Sequence, residues 1–410
     1  MAEERALFPG NGPVPPHVPP HLVRSFDFWR DLADRPQERI SRLHEGPRIF
    51  YSPDLHHPLR KAPGAWVVTR AADVRTVFGT PEIFSSQEYD SFASSIGEHW
   101  LLTPLEVDPP AHGKYRTLIN PIFSPKRMVE LEPQIRSWAI ELIDAIAARG
   151  SCEFIGDFAK HFPTGIFIDM MGLPRDLLDR FVDWENRLLN GTSAQERLGA
   201  LREILDYLRE TIQARRAQPS DDVIGTIVRS EIDGRPLTDD EIVGITILLY
   251  SAGLDTVVNS LGFIFRFLAE NPDLQALLRA DSKAIPRHVE EMMRLFSPVT
   301  PQRIAVQDTE LGGVQIKAGD LVTVSLAAAS RDPEDIPDPA RFDPQRNPNP
   351  HFGFGYGVHR CVGAQLARRD ISIAIEEWLK RIPDFRIAPD AQIKAVGGSV
   401  LALDQLPLVW

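Results

Sequence analysis

The stretch FGFGYGVHRCVGAQLARRD, residues 352–370, sets Cys361 between a glycine-studded loop and a helix pattern. The chain's other cysteine, Cys152, lies some two hundred residues away in sequence. Because VGAQLARRD reads as a helix, the sulfur sits at a helix N-terminus, where the dipole and free N–H groups favour thiolate over thiol. Taken alone, a lone intracellular cysteine is a small buried hydrophobe. Here Gly355, Gly357 and Gly363 let the backbone approach something flat and bulky. Neither phosphate-loop pattern can be written over these glycines. Nor do further Cys or His stand at zinc-ligand spacing. A thiolate with no partner thiol, in a loop that hugs a flat ligand, fits axial ligation of haem iron.

The rest of the chain bounds this reading. With 410 residues, 43% of them hydrophobic and 25% charged, it can bury a substantial core. A net charge of −12 argues against a general nucleic-acid binder. Two widely spaced cysteines suggest no disulfide framework and fit a reducing compartment. No apolar run free of charge reaches the length that spans a bilayer, so no membrane partner is expected. The start, MAEERALFPGNGPVPPHVPPHLV, lacks a basic region followed by an apolar one and reads as an extended surface arm, residues 1–25. The expected location is cytoplasmic.

Along the chain, PRIFYS and AWVVTR read as short strands before a helical AADVRTVFG. Residues 88–107 are irregular. From about 126 to 230 the apolar spacing is mostly helical, as in RMVELEPQIRSWAIELIDAIAARG. EIDGRPLT reads as a small hairpin about Asp233-Gly234. Short strands fall in TELGGVQIKAGDLVTVSL, a proline-rich meander runs from 331 to 353, and the C-terminus SVLALDQLPLVW is strand-like. Helix dominates with a minor strand component. No composition break marks a boundary, so residues 26–410 are read as one domain.

Three further stretches carry chemistry. LTDDEIVGITILLYSAGLDTVVNSLGFIFRFLAENP, residues 237–272, opens on a Thr238/Glu241 capping box and stops at Asn271-Pro272. It predicts a helix roughly 50 Å long, apolar nearly all round, and therefore crossing the core. Gly253, Asp255 and Thr256 interrupt the apolar run midway; locally, Thr256 can bond back to its i−4 carbonyl and Asp255 can pair with a neighbour. Glu291 and Arg294 stand at i, i+3, which by itself is a trivial surface pair. In DPPAHGKYR, His112 and Arg116 share one face of a proline-started helix.

Together these stretches resemble the cytochrome P-450 superfamily, in its bacterial camphor-hydroxylase-like branch. Phe354-Gly355-x-Gly357-x-His359-x-Cys361-x-Gly363 is similar to the family's haem-binding signature, with His at its basic position. AGLDTVVN is similar to the oxygen-activating segment of the long central I helix, and AAASRDPEDIPDPARFDP to the meander. RIPDFRIAP, AQI and LPLVW extend the likeness to the C-terminus.

The resemblance implies a mainly α, triangular-prism fold holding haem b, with Cys361 as iron ligand and Phe354 packed beside porphyrin and sulfur. It implies that Gly363 admits close contact at the proximal face, and that His112, Arg116, Arg303 and His359 hold the propionates. Asp255 and Thr256 would deliver the two protons that reductive O2 cleavage needs, and a local break in the helix ladder would make room for O2 and water. Glu291, Arg294 and Arg341 would form a buried ion network.

Carried over, the substrate wall comprises Trp100, Leu102, Leu105, Leu248, Ser251, Ala252, Val299, Ser399 and Val400. Such a wall suits a compact hydrocarbon skeleton of the camphor, cineole or ionone kind. Where the camphor hydroxylases present a tyrosine hydroxyl to the substrate ketone, IGEHWLLTP presents Trp100, whose indole N–H can also donate.

The implied activity is hydroxylation by a monomeric monooxygenase. Electrons would come from a [2Fe–2S] ferredoxin with its reductase, steered by Arg75, Arg116, Arg346, Arg360 and Arg368. A peroxygenase of the same fold or a non-catalytic haem-binding sensor are the alternatives; the Asp255–Thr256 pair argues against both.

Overall fold

The computed structural model describes residues 13–33, 35–55, 64–87, 92–191 and 193–410. Residues 1–12 of the predicted arm and 88–91 of the irregular stretch lie outside the described residues. The rest of the arm is laid on the surface: Val23 bridges Tyr51, and the Arg24 N–H donates to the Tyr51 carbonyl at 2.9 Å.

Helices carry most of the chain. The ones that position the site are α1 (Ala111–Ile119), α2 (Pro125–Ala147), α3 (His161–Met171), α4 (Leu178–Asn190), α5 (Ala194–Ala217), α6 (Asp239–Ala269), α7 (Ile285–Leu295) and α8 (Ala364–Arg381). The main sheet has strands β1 (Ile49–Ser52), β2 (Ala65–Val68), β3 (Phe84–Ser85), β4 (Gln302–Ala305) and β5 (Leu321–Val324), in the order β1-β2-β5-β4-β3. Only β2 and β5 run parallel. The hairpin about Asp233-Gly234 forms with both turn residues at positive φ, the twist that closes a two-residue turn.

Helix α6 is the axis of the molecule. Its capping box is complete: Thr238 Oγ1 accepts from the Glu241 N–H and Glu241 accepts from the Thr238 N–H. Phe265 on α6 stacks on Phe154 and meets Trp378 of α8, so its second half lies in an aromatic core. Among the described residues, α6 alone would pass for a membrane span by length and apolarity, yet most of it is buried inside the protein. The expected break does not occur, since α6 is continuous from Asp239 to Ala269. Thr256 Oγ1 donates to the Ala252 carbonyl at 3.0 Å and Ser260 Oγ to the Thr256 carbonyl at 2.9 Å; both side chains satisfy the ladder without opening it.

Candidate functional site

The cysteine loop is held by its own backbone. The Cys361 N–H donates to the Phe354 carbonyl at 2.9 Å, and the Gly355 N–H to the Phe352 carbonyl at 2.8 Å. Gly357 is required: its φ is +70°, and a Cβ there would lie 2.3 Å from the Phe78 carbonyl oxygen. Phe354 is buried, with the Arg368 guanidinium 4.2 Å from its ring centre. Cys361 is exposed, yet protein surrounds it, so its thiol faces an internal opening.

Enclosure matters for the sulfur. Burial pushes the Cys361 thiol above its usual range, against the Gly363 N–H and the charges of Arg116, Arg368 and Arg360. A cation bound at the sulfur would reverse that balance.

His112, Arg116, Arg303 and His359 do converge. The rings of His112 and His359 lie 4.3 Å apart between centroids. Burial, with the charges of Arg303, His112 and Arg116, depresses His359 to about 3; burial and Arg116 depress His112 to about 4. Arg116, half-buried, is lowered by burial and feels the Cys361 sulfur. Arg303 stands 4.9 Å from the Phe78 ring centre and donates to the Gln302 carbonyl. His112 Nε2 is buried with no hydrogen-bond partner. Asp108, whose charge reaches His112, is spent on Ser85 and Ser86, and Ser86 Oγ in turn contacts His359 Nε2 at 3.1 Å. Two guanidiniums and two neutral imidazoles thus meet in one place, and an orphaned buried imidazole nitrogen beside them is where an anion would bind.

Helix α6 carries a partly exposed stripe midway along its length. Gly244, Leu248, Ala252 and Thr256 stand four apart and so share one face. Ala252 is exposed in the middle of a core helix, with Leu248, Ser251 and Thr256 half-buried around it, which marks an internal opening. At Gly244 a Cβ would fall 1.9 Å from the Leu101 carbonyl oxygen, so residues 100–102, with Trp100 and Leu102 buried and Leu101 exposed, cross α6 one turn before Leu248. Leu105 is half-buried on the same segment. From the other side, Val299 bridges Val400 and the Thr300 N–H donates to the Ser399 carbonyl at 2.8 Å.

Trp100 corrects one expectation: its indole N–H is already donated to Glu98 Oε2 at 2.5 Å, and Arg209 of α5 holds the same oxygen. It presents ring surface, not a donor. Asp255 faces away from the stripe, accepting from Asn259 Nδ2 at 2.7 Å in a cavity shared with α3 and α4.

The Glu291–Arg294 pair is fully buried, at 2.7 Å. Its meander partner is Arg346, not Arg341. Arg346 Nε reaches Glu291 at 3.2 Å with its side chain 10% exposed, whereas the Arg341 side chain is 69% exposed and offers the network only its carbonyl. That contact also removes Arg346 from the expected arginine patch. Arg75 is paired with Asp335 by two bonds, Arg368 with Glu290, and Arg116 lies in the basic cluster. Of the five, Arg360 alone is exposed.

Glu98, Arg209, Ser86 and the network role of Arg346 escaped sequence reasoning because each depends on a partner distant in the chain, with no motif between them.

Residues 166–395 match the family model described as Cytochrome P450. A probable cytochrome P450 127A1 of Sinorhizobium fredii is 41% identical over 418 residues, covering all of both chains. The steroid C26-monooxygenase of Mycobacterium tuberculosis is 35% identical over 342 residues, 80% of this chain and 90% of that one. Among solved structures, CYP101J2 superposes with a TM-score of 0.87 at 32% identity, covering 97% of this chain and 99% of that one; cytochrome P450 CYP101C1 does so at 0.86 with the same coverage and identity.

Proposed function

The chain belongs to the cytochrome P450 family of haem b monooxygenases, and on that premise we propose that it hydroxylates a compact cyclic terpenoid with electrons from a [2Fe–2S] ferredoxin. The balance is RH + O2 + 2e− + 2H+ → ROH + H2O. The observation that carries the site assignment is the convergence of His112, Arg116, Arg303 and His359 near Cys361, with His112 Nε2 buried and unbonded. Two carboxylates of a flat macrocycle would accept from the orphaned His112 Nε2 and pair with Arg116 and Arg303 beside His359.

In this reading Cys361 is the iron ligand, Phe354 covers its sulfur side, and Gly363 donates its N–H to the sulfur. Haem bound there supplies O2 activation, with thiolate ligation favouring O–O cleavage. Thr256, on the exposed stripe, orients the oxygen end of the reaction, and Asp255 behind it passes protons inward. The Glu291–Arg294–Arg346 network keeps the loop's scaffold rigid.

Trp100, Leu102, Leu105, Leu248, Ser251, Ala252, Val299, Ser399 and Val400 form the substrate wall. With the Trp100 N–H spent on Glu98, this wall recognises its substrate by shape and apolar burial, which favours a hydrocarbon or ether skeleton over one that needs a carbonyl clamp. The ferredoxin docks by the exposed Arg360 rather than by five arginines. Residues 26–410 act as one catalytic domain, cytoplasmic and monomeric, with the apolar α6 inside its core.

Two measurements test this. Reduced protein with carbon monoxide gives the thiolate-type difference spectrum, and small terpenoids shift the spin state and are hydroxylated with O2, ferredoxin, its reductase and NAD(P)H. Turnover with H2O2 alone would instead make it a peroxygenase, and spectral binding without product a sensor. Arg360→Glu raises the KM for ferredoxin several-fold and flattens its salt dependence, while Arg75→Ala leaves it within about two-fold.

A further inference from the structure

Behind the central helix, on the side away from the substrate stripe, lies a buried acid that the mechanism above does not use. Glu185, on α4, is 5% exposed, and neither of its carboxyl oxygens has a hydrogen-bond partner. It lines a cavity of about 30 Å3 together with Lys160, Thr164, Asn186, Asp255 and Val258, large and polar enough to hold water. Asp255 enters that cavity from α6; Lys160, half-buried, and Asn186, exposed, stand at its solvent rim.

An ionised carboxylate so placed would be buried, unbonded and beside a second carboxylate, which is costly. Burial pushes Glu185 well above its usual range, and Asp255 adds to the shift. Asp255 itself is raised to about 6 by burial, against Asn259 and Lys160. The charged and titratable groups around Glu185 are Asp255 and Tyr250 from α6 and Lys160 from the start of α3; the Tyr250 hydroxyl donates to the Phe181 carbonyl at 3.1 Å.

We propose that Glu185 is a proton store behind Asp255, holding one proton in the cavity and passing it to Asp255 each time Asp255 delivers a proton toward Thr256. The O–H bond of the Glu185 carboxylic acid breaks as one forms on the Asp255 carboxylate, and solvent at the Lys160–Asn186 rim returns the proton to Glu185. No electron moves in the exchange. Glu185 is thus a positioning residue that acts through Asp255, and the proposal rests on the reading of Asp255 and Thr256 as the delivery pair.

The test uses haem-loaded protein with the thiolate-type carbon-monoxide spectrum intact. Glu185→Gln keeps the shape and cannot release a proton. Expected is a fall in ferredoxin-driven kcat of about ten-fold, less than the roughly 100-fold or more lost with a general acid itself, at unchanged KM. The solvent deuterium isotope effect on kcat rises, and the alkaline limb of the pH profile changes. Glu185→Asp, which keeps the exchangeable proton, restores most of the loss.

Two readouts are independent of turnover. The infrared difference between wild type and Glu185→Gln at neutral pH shows the loss of one protonated carboxylic-acid band, that of buried Asp370 cancelling. Unfolding shows wild type losing stability relative to Glu185→Gln as pH rises above the usual 4.5, since only the folded state then keeps the proton.

An unchanged isotope effect and pH profile in Glu185→Gln, beside altered ones in Asp255→Asn, overturns the store and leaves the delivery pair standing. Equal losses in Glu185→Asp and Glu185→Gln, or no carboxylic-acid band in that infrared difference, also overturn it. No effect in Asp255→Asn removes the delivery pair, and the store with it.

Discussion

Arg346→Ala should damage this protein far more than Arg341→Ala, although the sequence resemblance assigns the network role to Arg341. The Glu291 carboxylate, fully buried, accepts from Arg294 Nη2 at 2.7 Å and Nε at 2.8 Å, the Asp343 N–H at 2.9 Å, Arg346 Nε at 3.2 Å and Asn349 Nδ2 at 3.2 Å. Arg346 also donates to the carbonyls of Pro337, Asp338 and Arg341 at 2.7, 2.8 and 3.1 Å, tying the meander into one turn. Removing it deletes a bond to a buried charge, about 1.5–3 kcal/mol, and frees three carbonyls that water can partly re-satisfy. Arg294 keeps Glu291 paired, so the loss stays below the roughly 3–5 kcal/mol of an abandoned buried charge. We expect about 2–4 kcal/mol for Arg346→Ala. For Arg341→Ala, whose exposed side chain meets Asp343 only at 3.9 Å, we expect less than about 0.5 kcal/mol. Denaturant unfolding of the haem-loaded protein, followed by circular dichroism and by loss of the thiolate-type spectrum, measures both. A cost for Arg341→Ala equal to or above that for Arg346→Ala would refute this account of the network.

Three other outcomes follow from the site. Burial and the neighbouring arginines hold His112 at about 4, so the folded haem-free chain keeps it neutral while the unfolded chain protonates it below the usual 6.5. Stability of the haem-free protein should therefore fall as pH drops from 6.5 toward 4, and haem should flatten that slope by raising the folded pKa; equal slopes with and without haem, from urea midpoints at several pH values, would discard the assignment. Glu98→Ala frees Trp100 from Arg209 and should weaken terpenoid binding about three- to ten-fold in a spin-state titration, more than Trp100→Phe, which keeps the ring surface. Gly244→Ala drives a methyl into the Leu101 carbonyl and should cost about 1–3 kcal/mol in thermal or denaturant unfolding; a neutral result would mean that residues 100–102 do not cross α6 tightly.

What was readable in the sequence was local. Thr238 and Glu241 announce the start of α6, Asn271-Pro272 its end, and the apolar run between them its burial, because caps and periodicity act within a few residues. The i, i+3 spacing of Glu291 and Arg294 puts both on one face of α7. The cysteine loop is legible for the same reason, since Gly357 has no alternative at its φ of +70° beside Phe78.

Tertiary structure alone decided the rest, because it concerns which distant groups meet. Arg346 rather than Arg341 reaches Glu291 across 55 residues of chain, according to how the meander folds back. Arg209 claims Glu98 from 111 residues away and thereby spends the Trp100 donor that sequence had left available. The apparent interruption at Gly253, Asp255 and Thr256 closes up, since each hydroxyl and carboxylate finds a partner within four residues and the ladder never opens. Cys361 is the clearest division between the two levels. Sequence placed it just before a helix N-terminus; only the tertiary structure shows it enclosed by protein, where burial pushes its thiol up against the Gly363 N–H and the neighbouring arginines.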